Sequence, residues 1–463
     1  MTFSPEFAER RFGYGLSPLN PPVASTAAML AGITAADVQA ENFPIEGFET
    51  FRNRMILATS KRKELKKARK AGAKDDVQRL TKERKVINRA ARQDSRRWML
   101  ASMLRRAHTQ QAFFERLVAF WGDHFSAQGK AGVLRRGTAP FIETVMRPHV
   151  GGRFADLLIA AVTHPLMVHY LDQERSMGPQ SNRALKIGRK AGLNENLARE
   201  VIELHTLGVS GPYTQDDVRQ LAELFTGMSF QVEHGFKFRK DFVEPGTETV
   251  LGKTYGPKPS IGVIHSVLED LARHPATARH IAQKLAVHFV SDMPDPLLVA
   301  HLEAAYLEND GALMPVYAAL LEHPAAWQET ALNMRPADEF IGAAFRALGM
   351  TSGAVDGLVE KDIIDLFYKP MALMGQTYQK PDGPDGWPEE DNAWVTPQGI
   401  AARMEWAMQV PLRLMPELPD PRDFVVTALG ALAPPEVVFA AGAAESRHEA
   451  IGLVLCAPAF QRR

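Results

Sequence analysis

Cysteine is almost absent: the 463 residues contain one, Cys456. A single thiol excludes an internal disulfide and any multi-cysteine metal knuckle, and it fits a cytoplasmic protein. Long apolar runs are missing too, since none reaches the ~18–20 residues of a membrane-spanning helix. The opening stretch, MTFSPEFAERRFGYG, lacks the apolar segment of a secretory signal. These absences predict a cytoplasmic chain with no membrane span. Glycine (34) and proline (31) are scattered rather than massed, which removes collagen-like and low-complexity readings. Signatures of metal and cofactor chemistry are lacking as well. There is no His-Glu-x-x-His, no Glu-x-x-His pair of the di-iron type, no Walker or G-x-G-x-x-G loop and no G-x-S-x-G elbow. Neither a metal nor a cofactor is expected.

What is present is an ordinary globular composition, 45% hydrophobic and 23% charged. Length alone suggests roughly three domains, but long helical chains often stay in one piece, and 1–463 is read as a single helical domain. Lys+Arg and Asp+Glu balance at 54 each, yet unevenly along the chain. Between Lys61 and Arg97 stand 16 basic and 5 acidic residues, leaving 38 basic and 49 acidic elsewhere. A basic arm on an acidic body suits an acidic partner surface or phosphates; the plain alternative is a solvated helical face. Nucleic acid is not expected, because no Phe, Tyr or Trp lies between Lys61 and Arg97 to stack on bases.

Apolar residues recur at helical spacing along most of the chain, predicting a mainly α, multi-helix body. In the arm, read as a helical hairpin over 58–97, Ala73, Val77, Leu80, Ile87 and Ala91 make a thin seam. Gly72 is its expected turn. Asp295-Pro296 and Asp420-Pro421 read as helix starts. The exception to helix is 228–253, where SFQVE and FKFRKDF flank His234-Gly235 and predict one small β-hairpin. The Pro/Gly-rich stretch 379–390 must be a loop.

Five segments bear on candidate chemistry. Around His124, residues Phe113, Phe114, Leu117, Val118, Phe120, Trp121 and Phe125 fill one helical arc that includes the imidazole, with Glu115, Arg116 and Asp123 opposite. His124 is then either a core histidine with one hydrogen bond or an acid–base group at a pocket floor. In NENLAREVIELHTLG, Asn194 suits a cap and Gly208 a stop. On the helical wheel Asn196, Glu200, Glu203 and Leu207 share one face, with Arg199 beside it and His205 on the apolar face. Paired carboxylates raise one another's proton affinity, as acid–base chemistry requires; the alternative is a solvent-facing stripe of four-residue ion pairs. Tyr213-Thr214-Gln215-Asp216-Asp217 reads as helix capping. His280, Lys284 and His288 share part of a face and suit an anion better than a metal. Gln376, Trp387, Asn392 and Trp394 suit either a loop-built pocket or core packing.

Arg10-Arg11-Phe12-Gly13-Tyr14-Gly15, Phe120-Trp121-x-x-His124-Phe125, NENLAREVIELHTLGV, YTQDDV, Leu251-Gly252-Lys253 and the Met374–Trp394 loop occur in this order. Together they resemble the large bacterial family called domain of unknown function 1800, along nearly the whole chain. The resemblance implies a mainly helical fold and no established activity. It also implies an association with domain of unknown function 1501, a second family whose members tend to carry export signals, and so a protein partner. The family pattern falls on His124, Asn194, Glu195, Asn196, Arg199, Glu200, Glu203, His205, Tyr213, Thr214, Asp217, Gly375, Gln376, Gly386 and Trp387. One departure stands out. Relatives commonly carry His-Asp before a Pro-Gly and then a Lys, where this chain has Val243-Glu244 and Glu248; any role of that histidine is lost here.

Two functions follow as expectations. The first is a cofactor-independent, hydrolase-like enzyme for a small polar or saccharide-like substrate. Glu200 or Glu203 would act as acid or base, His124 or His205 as partner, and Arg199, Asn196, Tyr213, Gln376, Trp387 and Trp394 would bind the substrate. The second is a non-catalytic interaction protein whose basic arm docks an acidic partner.

Overall fold

The helix Lys74–His108 changes character halfway along, from a basic, sparsely apolar half to the apolar run Trp98–Ala107. In the computed structural model, which describes residues 3–188, 192–328 and 333–463, that change of composition is a change of surroundings. Ala91 and Trp98 join a first hydrophobic core assembled from residues between Phe7 and Trp327. Met99, Leu100, Met103, Leu104 and Ala107 join a second, whose other members lie between Ala337 and Phe460. The helix is therefore the spine that both cores share. The fold is mainly α-helical, and no helix among the described residues is long and apolar enough to cross a membrane.

The basic half of the spine folds against the helix Phe48–Lys70. Gly72 makes the turn with φ +68°, a conformation open to glycine without strain. The seam between the two helices is thin, as the sequence predicts: Leu65, Ala68 and Leu80 are buried, with Ala73 and Val77 against them. At its base Arg54 pairs with Glu46 and Asp94. Along its side Lys63 pairs with Glu233, and Arg52 donates to the carbonyls of Val232 and Glu233. The arm thus leans on the small hairpin Met228–Gln231/Gly235–Phe238, which has the expected antiparallel register.

The expectation of one hairpin in 228–253 needs correcting. A second two-stranded sheet pairs Glu248–Val250 with Lys253–Tyr255. Its two-residue turn, Leu251-Gly252, has positive φ at both positions, the geometry that matches strand twist. Leucine is an unusual residue there, and its N–H is held by Asp217 Oδ1 at 2.7 Å. Asp217 also completes the capping box with Thr214, so YTQDDV and Leu-Gly-Lys form one structural unit.

Among the described residues three segments wind as π-helix: Ile142–Met146, Val201–Thr206 and Ile364–Tyr368. Two have a local cause. Pro148 and Pro370 cannot donate to the carbonyl four residues back and crowd it, so the preceding turn widens. The carbonyl that Pro370 would have met, Leu366 O, instead accepts from Trp406 Nε1 at 2.9 Å.

Buried arginines bind the segments together. Arg11, Arg105, Arg116, Arg335, Arg346 and Arg403 are each almost fully enclosed. Arg346 donates to Glu9 Oε2 (3.0 Å) and to the carbonyls of Gly15 and Thr109 (both 2.7 Å) and of Arg106 (3.1 Å). The Arg10–Gly15 motif is thereby fixed to the end of the spine. Tyr14 lies with the guanidiniums of Arg106 and Arg116 5.0 and 5.7 Å from its ring centre.

Candidate functional site

The four residues expected to carry catalysis fall into two groups. His124 and His205 are buried, with ring centres 5.9 Å apart. The helix Asn196–Glu200 and its π-wound continuation leave carbonyls unpaired where the chain stops at Gly208 (φ +82°). His124 Nε2 donates to His205 O at 3.3 Å and His280 Nε2 to Leu204 O at 3.0 Å. These imidazoles therefore close a helix end. Burial, then Lys284, lowers all three: His124 well below its ordinary value, His205 to about 3 and His280 to about 4.

Glu200 and Glu203 are half-exposed. Among the described residues no hydrogen bond joins either carboxylate to either imidazole. Arg199 donates to Glu203 (3.1 Å), Glu195 (3.4 Å) and Gln215 (2.9 Å), tying this helix to Gln215–Leu224. Burial and then Glu203 raise the Glu200 carboxyl. Asn196 is exposed, and its N–H donates to Asn194 Oδ1 at 2.9 Å. Tyr213 OH donates to Val209 O at 3.1 Å. The π turn also defeats the 100° wheel: Leu207, placed with the carboxylates by that wheel, is 3% exposed.

The histidines set a pH dependence of stability. Their folded values lie below the unfolded value of about 6.5, so the unfolded chain takes up protons first as pH falls. Each then removes up to about 1.4 kcal/mol of stability per pH unit below about 6.5. His205→Leu is expected to flatten urea-unfolding stability between pH 6.5 and 4.5 by about that slope. Parallel curves for variant and wild type would show that His205 is not held neutral.

A cleft of about 170 Å³ opens elsewhere, where the two cores meet along the spine. Its walls come from Ala112–His124, the spine, 138–147, the start of Ala337–Ala347 and the 376–389 loop. The charged side chains lining it form pairs. Arg105 donates to Glu143 (2.7 Å), Arg106 to Asp338 (2.9 Å) and Arg147 to Glu115 (2.8 Å), while Arg116 bonds Glu339. Arg116 Nη2 also donates to His288 Nε2 at 3.0 Å. A guanidinium only donates, so His288 carries its proton on Nδ1, and that N–H is 2.9 Å from Glu389 Oε1.

Among the described residues Asp123 differs from the other acids of the cleft in accepting no hydrogen bond from an arginine or histidine side chain. Its carboxylate accepts, among the described residues, only the Trp387 N–H, 3.0 Å from Oδ1 and 3.2 Å from Oδ2. Gly386 has φ +84°, and a Cβ there would lie 2.5 Å from Asp123 Oδ2. Glycine thus lets the loop backbone reach the carboxylate. Enclosure by protein and then the charge of Glu389 push the Asp123 carboxyl up to about 7. Glu389 shifts the opposite way, its own burial outweighed by the His288 hydrogen bond and the charges of Lys284 and Arg116. Two neighbouring carboxyls with divergent proton affinities are the arrangement that acid–base chemistry uses.

Two of the expected site residues line this cleft, Gln376 and Trp387. Gln376 Oε1 accepts from Asp338 N at 2.7 Å, capping the helix Ala337–Ala347, which has no side-chain cap of its own. Trp394 backs the loop, donating to Pro388 O at 3.0 Å with its ring 6.1 Å from Trp387. His124, His205, Glu200, Glu203, Arg199, Asn196 and Tyr213 do not line it. Sequence reasoning missed Asp123, Glu389 and the paired arginines. The available signal was Asp123 itself, a carboxylate set within the aromatic run FWGDHF. Among the described residues no three His, Cys, Asp or Glu side chains group as a metal site would need.

The structure thus defines a helical protein with an ion-paired cleft between two cores. The chain belongs to the family described as protein of unknown function (DUF1800), whose model matches residues 8–462. Searches of the curated proteins and of the solved structures give no match.

Proposed function

We propose that the chain is a hydrolase-type enzyme acting on a small polar substrate bound in the cleft between the two cores. The observation that carries this reading is the placement of Asp123: a carboxyl on the wall of a cavity, enclosed by protein beside Glu389, with no arginine or histidine bonded to it among the described residues, a setting that raises its proton affinity. Protonated below pH about 7, Asp123 gives its proton to the leaving group as the scissile bond breaks. Glu389, kept ionised by the His288 N–H, takes a proton from the attacking water. The Trp387 N–H orients the Asp123 carboxyl, and Arg116 fixes the tautomer of His288. This reading moves the acid–base chemistry from Glu200 or Glu203, partnered by His124 or His205, to Asp123 and Glu389, and keeps the expected reaction class. It is tested with nitrophenyl glycosides and esters. The wild type should hydrolyse at least one, and Asp123→Asn should lose that hydrolysis at an unchanged melting temperature. Hydrolysis undiminished in Asp123→Asn would overturn it.

A second reading, docking of an acidic protein partner, is favoured by a groove on the arm. Arg69, Arg84, Lys85, Arg89 and Arg92 line it with Leu65 and Val86, and among the described residues no carboxylate does. Val86 is 66% exposed, an apolar contact among cations. A glutamate-rich peptide carrying leucines is expected to bind, more weakly as salt rises. Arg84→Gln/Lys85→Gln/Arg89→Gln should weaken it at least tenfold. Equal binding by that variant would remove the arm from consideration.

A further inference from the structure

We infer that the substrate of this cleft is an oxyanion, a small molecule carrying a phosphate or carboxylate group that Arg105 meets inside and Arg135, Arg136 and Lys380 meet at the mouth. The inference rests on the reading of the cleft as the substrate site and adds the chemical class of what enters it.

The first observation is inside. Arg106, Arg116 and Arg147 each direct both terminal nitrogens to partners within the protein. Arg105 does not. Its Nε donates to Phe43 O at 2.9 Å and its Nη1 to Glu143, while Nη2 is buried with no partner among the described residues. Arg105 is 2% exposed and lines the cleft. A buried guanidinium N–H without an acceptor is costly, and an oxygen of a bound anion removes that cost with a charge-assisted bond.

The second observation is at the rim. Lys380 stands between Gln379 and Pro381, both in the cleft wall, and Arg135 and Arg136 precede Thr138 and Ala139 in the same wall. Gln128 Nε2 donates to Pro381 O at 2.7 Å and Thr138 Oγ1 donates to Ala127 O at 2.9 Å, so residues 127–128 tie the two segments together. The cations lie within one another's fields. Arg136 is lowered by burial and by Arg96, Arg92 and Arg135, and Lys380 by burial, Arg136 and Arg135. Arg96 is claimed by Glu360. Arg92, Arg135, Arg136 and Lys380 have no ion pair among the described residues. Inside, each lining arginine has its carboxylate; at the rim, like charges stand together without one. Such a rim draws anions from solution, and the cavity volume admits a small molecule rather than a chain.

The test is calorimetric, with glucose, glucose 6-phosphate, glucuronate and inorganic phosphate as probes. Glucose 6-phosphate or glucuronate should bind at least tenfold more tightly than glucose, and more weakly as salt rises. Tight binding by inorganic phosphate as well would identify the free oxyanion as a ligand and supports the same chemistry. Arg136→Gln/Lys380→Gln, at the rim and without buried pairs to disturb, should lose at least tenfold in affinity; Arg105→Gln should lose more. Anions binding no better than glucose, or equally well to wild type and the rim variant, would overturn the inference. So would no anion binding at millimolar concentration. The enzyme reading fails separately. Asp123→Asn, which removes negative charge from the cleft wall, should bind the anion at least as tightly as the wild type, so binding without Asp123-dependent turnover defeats only the acid–base proposal. Asp123-dependent turnover of a neutral glycoside without anion binding defeats only this one.

Discussion

Asp123→Asn is expected to lower kcat/KM about 10²–10⁴-fold, the range over which a positioned proton donor contributes. The asparagine keeps the shape and one carbonyl oxygen for the Trp387 N–H, so the 386–389 loop retains its anchor. It also removes a charge that the surroundings disfavour, and the melting temperature should hold or rise. The pH profile separates donation from a packing effect. Because burial and Glu389 raise the acid to about 7, wild-type kcat/KM should fall as pH rises through 7, while the residual rate of Asp123→Asn should lose that limb. Glu389→Gln acts differently. It lowers the rate by removing the base, and by removing a like charge it should also lower the Asp123 proton affinity, shifting the alkaline limb to lower pH. A profile that keeps its limb near pH 7 in Asp123→Asn would assign that ionisation to another group.

The largest effect on stability is expected at Arg346. It is 1% exposed, pairs with Glu9, itself 4% exposed, and donates to carbonyls of Gly15, Arg106 and Thr109. Arg346→Met fills much of the volume but leaves Glu9 as an unpaired buried charge with several carbonyls unsatisfied. Breaking one side of such a pair costs about 3–5 kcal/mol, read as a loss of unfolding free energy in urea. Burial already raises the Glu9 carboxyl, so the variant's deficit should shrink at low pH as Glu9 protonates. Glu9→Gln added to Arg346→Met should recover part of the loss. A loss below about 1 kcal/mol, as for exposed pairs, would show that the amino-terminal motif is held by packing instead.

These features divide by how local their causes are. The Gly72 turn, the Thr214–Asp217 capping box and the Asp295 and Asp420 caps were legible because each depends on residues within a few positions. The second hairpin escaped because its turn has leucine where asparagine or glycine is usual, stabilised by Asp217 from 34 residues away. The cleft was harder to see. The wheel for Ala112–His124 separates the aromatic arc from Glu115, Arg116 and Asp123, but it cannot say what covers the polar arc. Water is the ordinary answer; here Glu339 covers Arg116 from 223 residues away and Trp387 reaches Asp123 from 264. The His124 arc was legible as buried, and the single hydrogen bond of a core histidine is what it makes. Glu195 and Glu203 pair with Arg199 in the four-residue ion pairs their spacing allows, while Glu200 stands on the same semi-exposed face with no ion pair among the described residues.

The most direct measurement is the ionisation of Asp123 itself, followed by carboxyl ¹³C NMR on aspartate-labelled protein, with Asp123→Asn identifying the resonance. Titration with a midpoint near 7 is the predicted result, and it would establish a neutral-pH proton donor in the wall of the cleft. A midpoint below 5 would contradict the account, since Asp123 would then be a permanent carboxylate with no proton to give at neutral pH.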